Sequence, residues 1–393
     1  MKRNLLCPNS RPTSQLSPNA RPTLRYAMVG GGKGSFIGPI HRMAIRMDDL
    51  AELVDGCYSH TDDWRALIER VKGKVDFISI CTPNDSHYEI AKAALNAGLD
   101  VMCEKPLSIS IEEALELEKL AKRKRRVLGI PFTYSGMPMV KLARDLIAKG
   151  ELGKIDKIVL EYQQGSFRKI DFTKPLDKRN AWKMDPKKSG KSCVVADIGV
   201  HAFNLIEYVT GLEVKEILAD LSSFAPGNRL DDDASILMHL GKPSSKGVSE
   251  RSGTNKGASS YCAKASLVTS KIATGEENGV RLRVYGDKAS LYWNQETNNY
   301  LSVKSPFAPE KIYKRKAPYM ASVSPRSVEC SRIPAGHHEG FIEAFANIYD
   351  EFCAAVRDRK AHDFPGPREG VRTMKFVEAA LKSAKHKNIW VKI

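Results

Sequence analysis

Apolar residues fall into two rhythms along this chain. In the first third, short apolar runs alternate with stretches of helical period. Leu24–Val29, Glu52–Tyr58, Val75–Cys81, Leu99–Met102 and Val127–Pro131 read as strands. Between them the spacing predicts helices ending near Met47 and over Thr61–Val71, Tyr88–Ala97 and Ile109–Lys122. Val75–Cys81 has no polar face, as a parallel strand covered on both sides requires. Strand and helix in strict alternation predict a doubly wound parallel sheet. From Tyr134 the alternation stops. A helix near Met137–Lys149, a strand Ile155–Gln164 and a charged loop lead to a helix from Asp197 to about Val209, ended by Gly211. Strands then follow without helices between them: Val214–Phe224, Ala234–Leu240, Ala265–Ala273, Arg281–Gly286 and Ser290–Trp293. Such a run predicts a mostly antiparallel open sheet in a second domain. Two amphipathic helices, about Glu339–Arg357 and Arg368–Lys385, close the chain.

The expected architecture is α/β: a parallel-sheet domain over residues 25–132 and an α+β domain over 133–393. Residues 1–24 contain no acid and repeat a Pro-Asn-x-Arg-Pro-Thr unit at Pro8 and Pro18. They read as a disordered extension. The Ser/Gly/Lys-rich tract at 242–263 is too long for a hairpin and reads as an insertion.

Composition narrows the function classes. Much of the net charge of +16 sits in the N-terminal extension, the insertion and a basic tract near 311–316. No basic stripe is interleaved with aromatics, so nucleic acid is not an expected partner. No window approaches the ~18 apolar residues of a membrane span. The basic run Lys122–Arg126 reads as a helix C-terminus complementing its dipole. None of the eight cysteines forms a Cys-x-x-Cys pair, and several lie in apolar runs, as reduced thiols do. A cytoplasmic location is expected. Organellar targeting by residues 1–24 is the weaker alternative, because prolines spoil the helix such peptides use.

Three stretches carry chemistry. The first strand runs into Gly30-Gly31-Gly32-Lys33-Gly34-Ser35-Phe36-Ile37-Gly38 and then a helix, the context of a dinucleotide fingerprint. Gly30 and Gly32 fit G-x-G-x-x-G, whereas Gly38 arrives three residues late. The second strand ends at Ser59, where an acid would grip the adenosine ribose; a neutral residue leaves NAD and NADP both open. The second stretch is Glu104-Lys105-Pro106 at a strand's carboxyl end, the edge that lines the crevice in such sheets. Lys105 there can meet a developing oxyanion. Third, Asp197 and His201 share one helical face, and an imidazole is a natural general base. Alone, such a pair is more often a helix cap beside a core histidine.

Together, the glycine turn, Glu104-Lys105-Pro106 and Asp197/His201 resemble the Gfo/Idh/MocA oxidoreductase family over roughly residues 25–393. Ile40-His41-Arg42, Thr82-Pro83-Asn84, Gly190, Gly275-Glu276-Glu277-Asn278 and Arg283-Val284-Tyr285-Gly286 extend the match. The resemblance implies a Rossmann-type first domain binding NAD or NADP. It also implies hydride transfer between that cofactor and a secondary alcohol or carbonyl of a sugar, polyol or similar small molecule. By the same resemblance, Lys105 polarises the substrate hydroxyl, His201 takes its proton, and Asp197 positions substrate or His201. Gly30, Gly32, Ile37, Gly38, Ser59, Thr82, Pro83, Asn84, His87, Glu104 and Lys105 would bind the cofactor, and Tyr134 would flank the substrate. No metal is expected, and a homo-oligomer through the C-terminal sheet is. A non-catalytic dinucleotide sensor and a nicotinamide-dependent glycosidase are the alternatives. One departure stands out: between Ser59 and Lys74 there is room for a single short helix. The third strand of the order 3-2-1-4-5-6 is therefore expected to be missing, leaving Glu52–Tyr58 as the edge.

Overall fold

A computed structural model describes residues 23–59, 62–176, 181–243 and 261–393. The expected extension as far as residue 22, and the insertion from 244 to 260, lie outside the described residues.

Strands β1 (Leu24–Gly30), β2 (Ala51–Cys57), β3 (Phe77–Cys81), β4 (Asp100–Cys103) and β5 (Leu128–Gly129) form a parallel sheet in the order β2-β1-β3-β4-β5. This is the doubly wound order without its outermost strand, and among the described residues nothing pairs beyond β2. Alternate side chains enter two cores. Tyr26, Met28 and Phe77 face one, where helix α1 (Ile37–Met47) lays Ile40, Ala44 and Ile45. Ala27, Val29, Ile78 and Ile80 face the other, where α2 (Trp64–Val71) lays Leu67, Ile68 and Val71. The shortened link thus crosses on the face opposite α1, as right-handed connection demands. Helices α3 (His87–Asn96) and α4 (Ile111–Lys124) share that second face. Lys122, Arg123 and Lys124 form the last turn of α4, so the basic run is a helix end.

Among the described residues the second sheet has nine strands. After α5 (Pro138–Ala148) come β6 (Ile155–Gln163), α6 (Val200–Thr210), β7 (Glu213–Ser222), β8 (Asp233–Gly241), β9 (Ala263–Ser270), β10 (Gly279–Gly286), β11 (Ser290–Asn294), β12 (Tyr300–Ser305) and β13 (Ala308–Lys314). The order is β13-β12-β11-β10-β6-β9-β8-β7-β14, where β14 is Val391–Lys392. Only the β6–β9 pair is parallel. The basic tract at 311–316 proves to include the end of an edge strand, β13. Two short helical turns, Met320–Val323 and Pro325–Glu329, follow it, and then two long helices, α7 (Phe341–Asp358) and α8 (Pro367–Lys385). α8 packs against β7, α6 and the first domain's α4, and α5 packs against α6. α7 instead lays Phe345, Tyr349, Phe352 and Val356 beside α1 on the small parallel sheet. The division at residue 132/133 is bridged: a helix placed by sequence in the second domain completes the core of the first.

Candidate active site

The glycine turn between β1 and α1 is too crowded for side chains. A Cβ on Gly30 would lie 2.6 Å from the Cys81 backbone, and one on Gly38 2.2 Å from the Cα of Gly31. Gly30 also holds φ +81°, which a glycine adopts without strain. The close packing draws the N-terminus of α1 against the turn. That terminus has no acidic residue in its first turn; the Ser35 hydroxyl accepts from the Gly38 amide at 3.2 Å, and the positive end of the helix dipole favours an anion beside it. Ile37 tucks into the core of α1's face, and Gly32 packs against Tyr58. The turn fits a dinucleotide pyrophosphate. At the end of β2, beyond Ser59, the Asp62 carboxylate folds back to accept from the Tyr58 and Ser59 amides, both at 2.9 Å. An acid therefore stands three residues beyond the place where the usual spacing puts one.

The segment after β3 is braced rather than open. The Thr82 hydroxyl accepts from Ser86 at 2.7 Å, and the Pro83 carbonyl accepts from the same side chain at 2.8 Å. Asn84 donates to the Ser189 carbonyl at 3.0 Å, tying the crevice to the charged loop of the second domain. His87 is fully buried with its ring between the Pro106 and Thr82 carbonyls, at 2.8 and 2.9 Å. It stands behind the crevice as a brace instead of lining it. Glu104 is likewise buried and spent: it accepts from His41 Nε2 at 2.8 Å and from the Lys105 amide at 3.0 Å. His41 Nδ1 meets the Tyr349 hydroxyl of α7 at 2.6 Å. Burial opposes charge on His41, but the Cys81 sulfur and the Glu104 carboxylate outweigh it and lift the ring to about 10. His41 had only a place in the sequence pattern; the structure makes it the partner of Glu104.

This pair yields a stability prediction. Removing one member of a buried ion pair typically costs about 3–5 kcal/mol, so His41→Leu should lower the unfolding free energy by that order. A folded-state pKa above the ordinary histidine value stabilises fully below about pH 6.5 and is lost as pH rises toward 10. Denaturant titrations at pH 6 and pH 10 should therefore show a smaller gap between wild type and variant at the higher pH.

Lys105 follows β4, and its peptide to Pro106 is cis. Its Nζ donates to Asp197 Oδ1 at 2.6 Å and to the Asp197 carbonyl at 2.8 Å. Asp197 sits in a π-helical turn, Val195–Gly199, that leads into α6. Its second oxygen is taken by Lys271, 2.5 Å away. Burial alone would raise the Asp197 carboxyl, but Lys105, Lys271 and Lys183 together hold it well below the usual carboxylate range. Asp197 therefore holds two lysines, whereas the sequence suggested that it positions His201 or substrate. Lys271 escaped the sequence reading because the strand pattern ran on to Ala273; β9 actually ends at Ser270. A lysine closing a strand is the same signal that marked Lys105.

His201 opens α6 with its ring set edge-on against Phe132 and Tyr134, centroids 5.7 and 5.6 Å away. Its Nδ1 is buried without a hydrogen-bond partner. Burial and the charge of Lys105 push the ring down to about 3, so it is a neutral base. Tyr134 is a buried wall behind it. Its hydroxyl joins Tyr162 at 2.8 Å and Asn278 at 3.2 Å, which leaves the tyrosine supporting the site.

Family models match most of the described chain. "Oxidoreductase family, NAD-binding Rossmann fold" covers residues 24–132, "GFO/IDH/MocA C-terminal domain" covers 140–292, and "Oxidoreductase family, C-terminal alpha/beta domain" covers 256–393. An uncharacterized oxidoreductase of Bacillus subtilis, YfiI, is 31% identical over 94% of this chain and 96% of its own. Inositol 2-dehydrogenase of Rhizobium meliloti is 23% identical over 93% and 98%. The crystal structure of an inositol dehydrogenase homolog from Azotobacter vinelandii, complexed with NADH and myo-inositol, superposes with a TM-score of 0.82. It is 30% identical and covers 94% of this chain and 98% of that one. With its glycine turn, its Glu-Lys-Pro strand end and its two-domain sheet architecture, this chain belongs to the Gfo/Idh/MocA family of NAD-binding oxidoreductases.

Proposed function

We propose that this enzyme oxidises a secondary hydroxyl of a sugar or polyol with NAD+, and reduces the matching carbonyl with NADH. The observation that carries the reading is the meeting of Lys105, Asp197 and neutral His201 at the carboxyl end of the parallel sheet, beside the glycine turn. Bound NAD+ would supply a hydride acceptor. The Lys105 ammonium donates to the alcohol oxygen and stabilises charge as it grows there. His201 takes the hydroxyl proton as the carbon loses hydride, so the alcohol becomes a carbonyl and the imidazole an imidazolium. Asp197 holds Lys105 in its direction through two atoms. The Asp62 carboxylate just beyond the end of β2 supports NAD over NADP, since an acid near the adenosine ribose would repel a 2′-phosphate.

The bare face of the large sheet supports assembly. It carries the exposed Leu237 together with Tyr285 and Tyr292, and a second copy would cover it. The seven described cysteines are all unpaired, which supports a reducing, cytoplasmic setting. No helix among the described residues is long and apolar enough to cross a membrane.

The test is NADH formation at 340 nm over a panel of polyols and sugars, run in parallel with NADP+ and with chromogenic glycosides. The expected result is NADH from at least one secondary alcohol, with NAD+ preferred. Release of chromophore without net NADH would replace this reading with a glycosidase.

A further inference from the structure

The site holds more positive charge than its own acids balance. Asp197 is shared between Lys105 and Lys271, and a third lysine, Lys183, lies close enough for the charges of all three to act on it. Asp197 draws the Lys183 ammonium toward its charged form. Burial, Lys271 and Lys105 outweigh that pull and leave its pKa below the ordinary lysine value. Lys183 forms no ion pair with any described carboxylate, and its ammonium lies 5.9 Å from the centre of the Trp182 ring.

The other acids nearby are already committed. Glu104 is matched by His41. Asp231 accepts from Ser192 Oγ, Cys193 N and Val195 N at 2.9, 2.8 and 3.1 Å, and so caps the start of the Val195–Gly199 turn. The Cys193 thiol is pushed up to about 11 by burial and stays neutral. Against one free-standing carboxylate the cluster therefore sets three ammonium groups. Cations gathered in a water-poor cleft are costly unless an anion joins them.

A second observation agrees with the first. The described parts of the loop, residues 165–176 and 181–192, which Asn84 pins to the crevice through Ser189, carry seven lysines and arginines against two aspartates. A cleft walled by one sign of charge concentrates ligands of the other. The cofactor's phosphates do not account for this excess, because the glycine turn and the N-terminal end of α1 already provide for them.

We infer that the substrate is a sugar or polyol bearing an oxyanion, a carboxylate or a phosphate, and that Lys183 and Lys271 hold that group while Lys105 meets the reacting hydroxyl. The inference rests on the alcohol-oxidising function proposed above. Lys271 is anchored through Asp197 and backed by the Phe167 ring at 5.0 Å, so it is the fixed arm. Lys183, without an ion pair among the described residues, is the second arm.

Matched substrates test it: D-glucuronate and D-glucose 6-phosphate against D-glucose, and D-gluconate against D-glucitol. One charged member should exceed its neutral partner in kcat/KM by about thirtyfold, within the range of one hydrogen bond between charged groups. The carboxylate and phosphate arms identify which oxyanion is taken. Lys183→Gln should cut the charged-to-neutral ratio about tenfold, whereas Lys183→Arg should keep most of it. Added salt should lower the rate with the charged member more than with the neutral one. Neutral sugars used as well as their charged partners, or a ratio unmoved by Lys183→Gln, would overturn the anion site.

Equilibrium titration of the enzyme–NADH complex with D-glucuronate and with D-glucose separates this inference from the one beneath it. Tighter binding of the anion without NADH formation from any sugar upholds the anion site and sinks alcohol oxidation. NADH formed from neutral sugars alone does the reverse.

Discussion

Lys105→Ala should lower kcat by about 10²–10³-fold while changing NADH affinity little. That is the range for removing one donor to a developing oxyanion. The ammonium reaches the site from the end of a buried strand, and Asp197 fixes its direction from two atoms, Oδ1 and the backbone carbonyl. Deleting it does not strand Asp197, because Lys271 still pairs the other carboxylate oxygen. The variant should therefore fold, and its loss should fall on the chemical step. Stopped-flow hydride transfer together with NADH fluorescence titration checks both halves. A variant that lost cofactor binding in proportion to rate would instead place Lys105 in the cofactor site.

His201→Ala should cost about 10²–10⁴-fold, the usual contribution of a positioned general base. An unperturbed imidazole titrates at about 6.5. Burial against Phe132 and Tyr134, with Lys105 close by, moves it down to about 3. The basic form exists above the pKa, so a lowered value extends activity toward acid. In the wild type, kcat/KM should then stay level from pH 8 to pH 5, with no step at the ordinary histidine value of about 6.5. The Ala variant should be slow at every pH. A wild-type inflection near 6.5 would show that another group takes the proton, and a double variant of Lys105 and His201 with wild-type rate would make both residues structural.

What the sequence revealed follows from which forces are local. The strand ending in Glu104-Lys105-Pro106 was visible because a charge after an apolar run is anomalous at one spot. The missing outer strand was visible by counting, since Ser59 to Lys74 cannot hold a strand and two helices. Lys271 was hidden by the same kind of count: the apolar rhythm continued through Ile272 and Ala273 and masked the strand's end. The partners of Asp197 and Glu104 were out of reach because they come from distant parts of the chain. Lys271 is 74 positions from Asp197, and His41 is 63 from Glu104. The stripe on α7 announced a buried helix, yet an apolar stripe carries no address. It could not say that Phe345, Tyr349 and Phe352 belong to the first sheet.

That address has a consequence for how the protein is made. The nucleotide-binding half has all five of its strands by Gly129, but the helix that finishes one of its faces ends at Asp358. At about 5–20 residues per second, a ribosome needs roughly 10–50 s to cover that interval. For that time Tyr26, Met28 and Phe77 have α1 over them and nothing beside it. A chain stopped short of residue 341 is thus not a smaller dinucleotide-binding protein. It is a sheet with an open apolar flank, a surface prone to self-association until α7 is made.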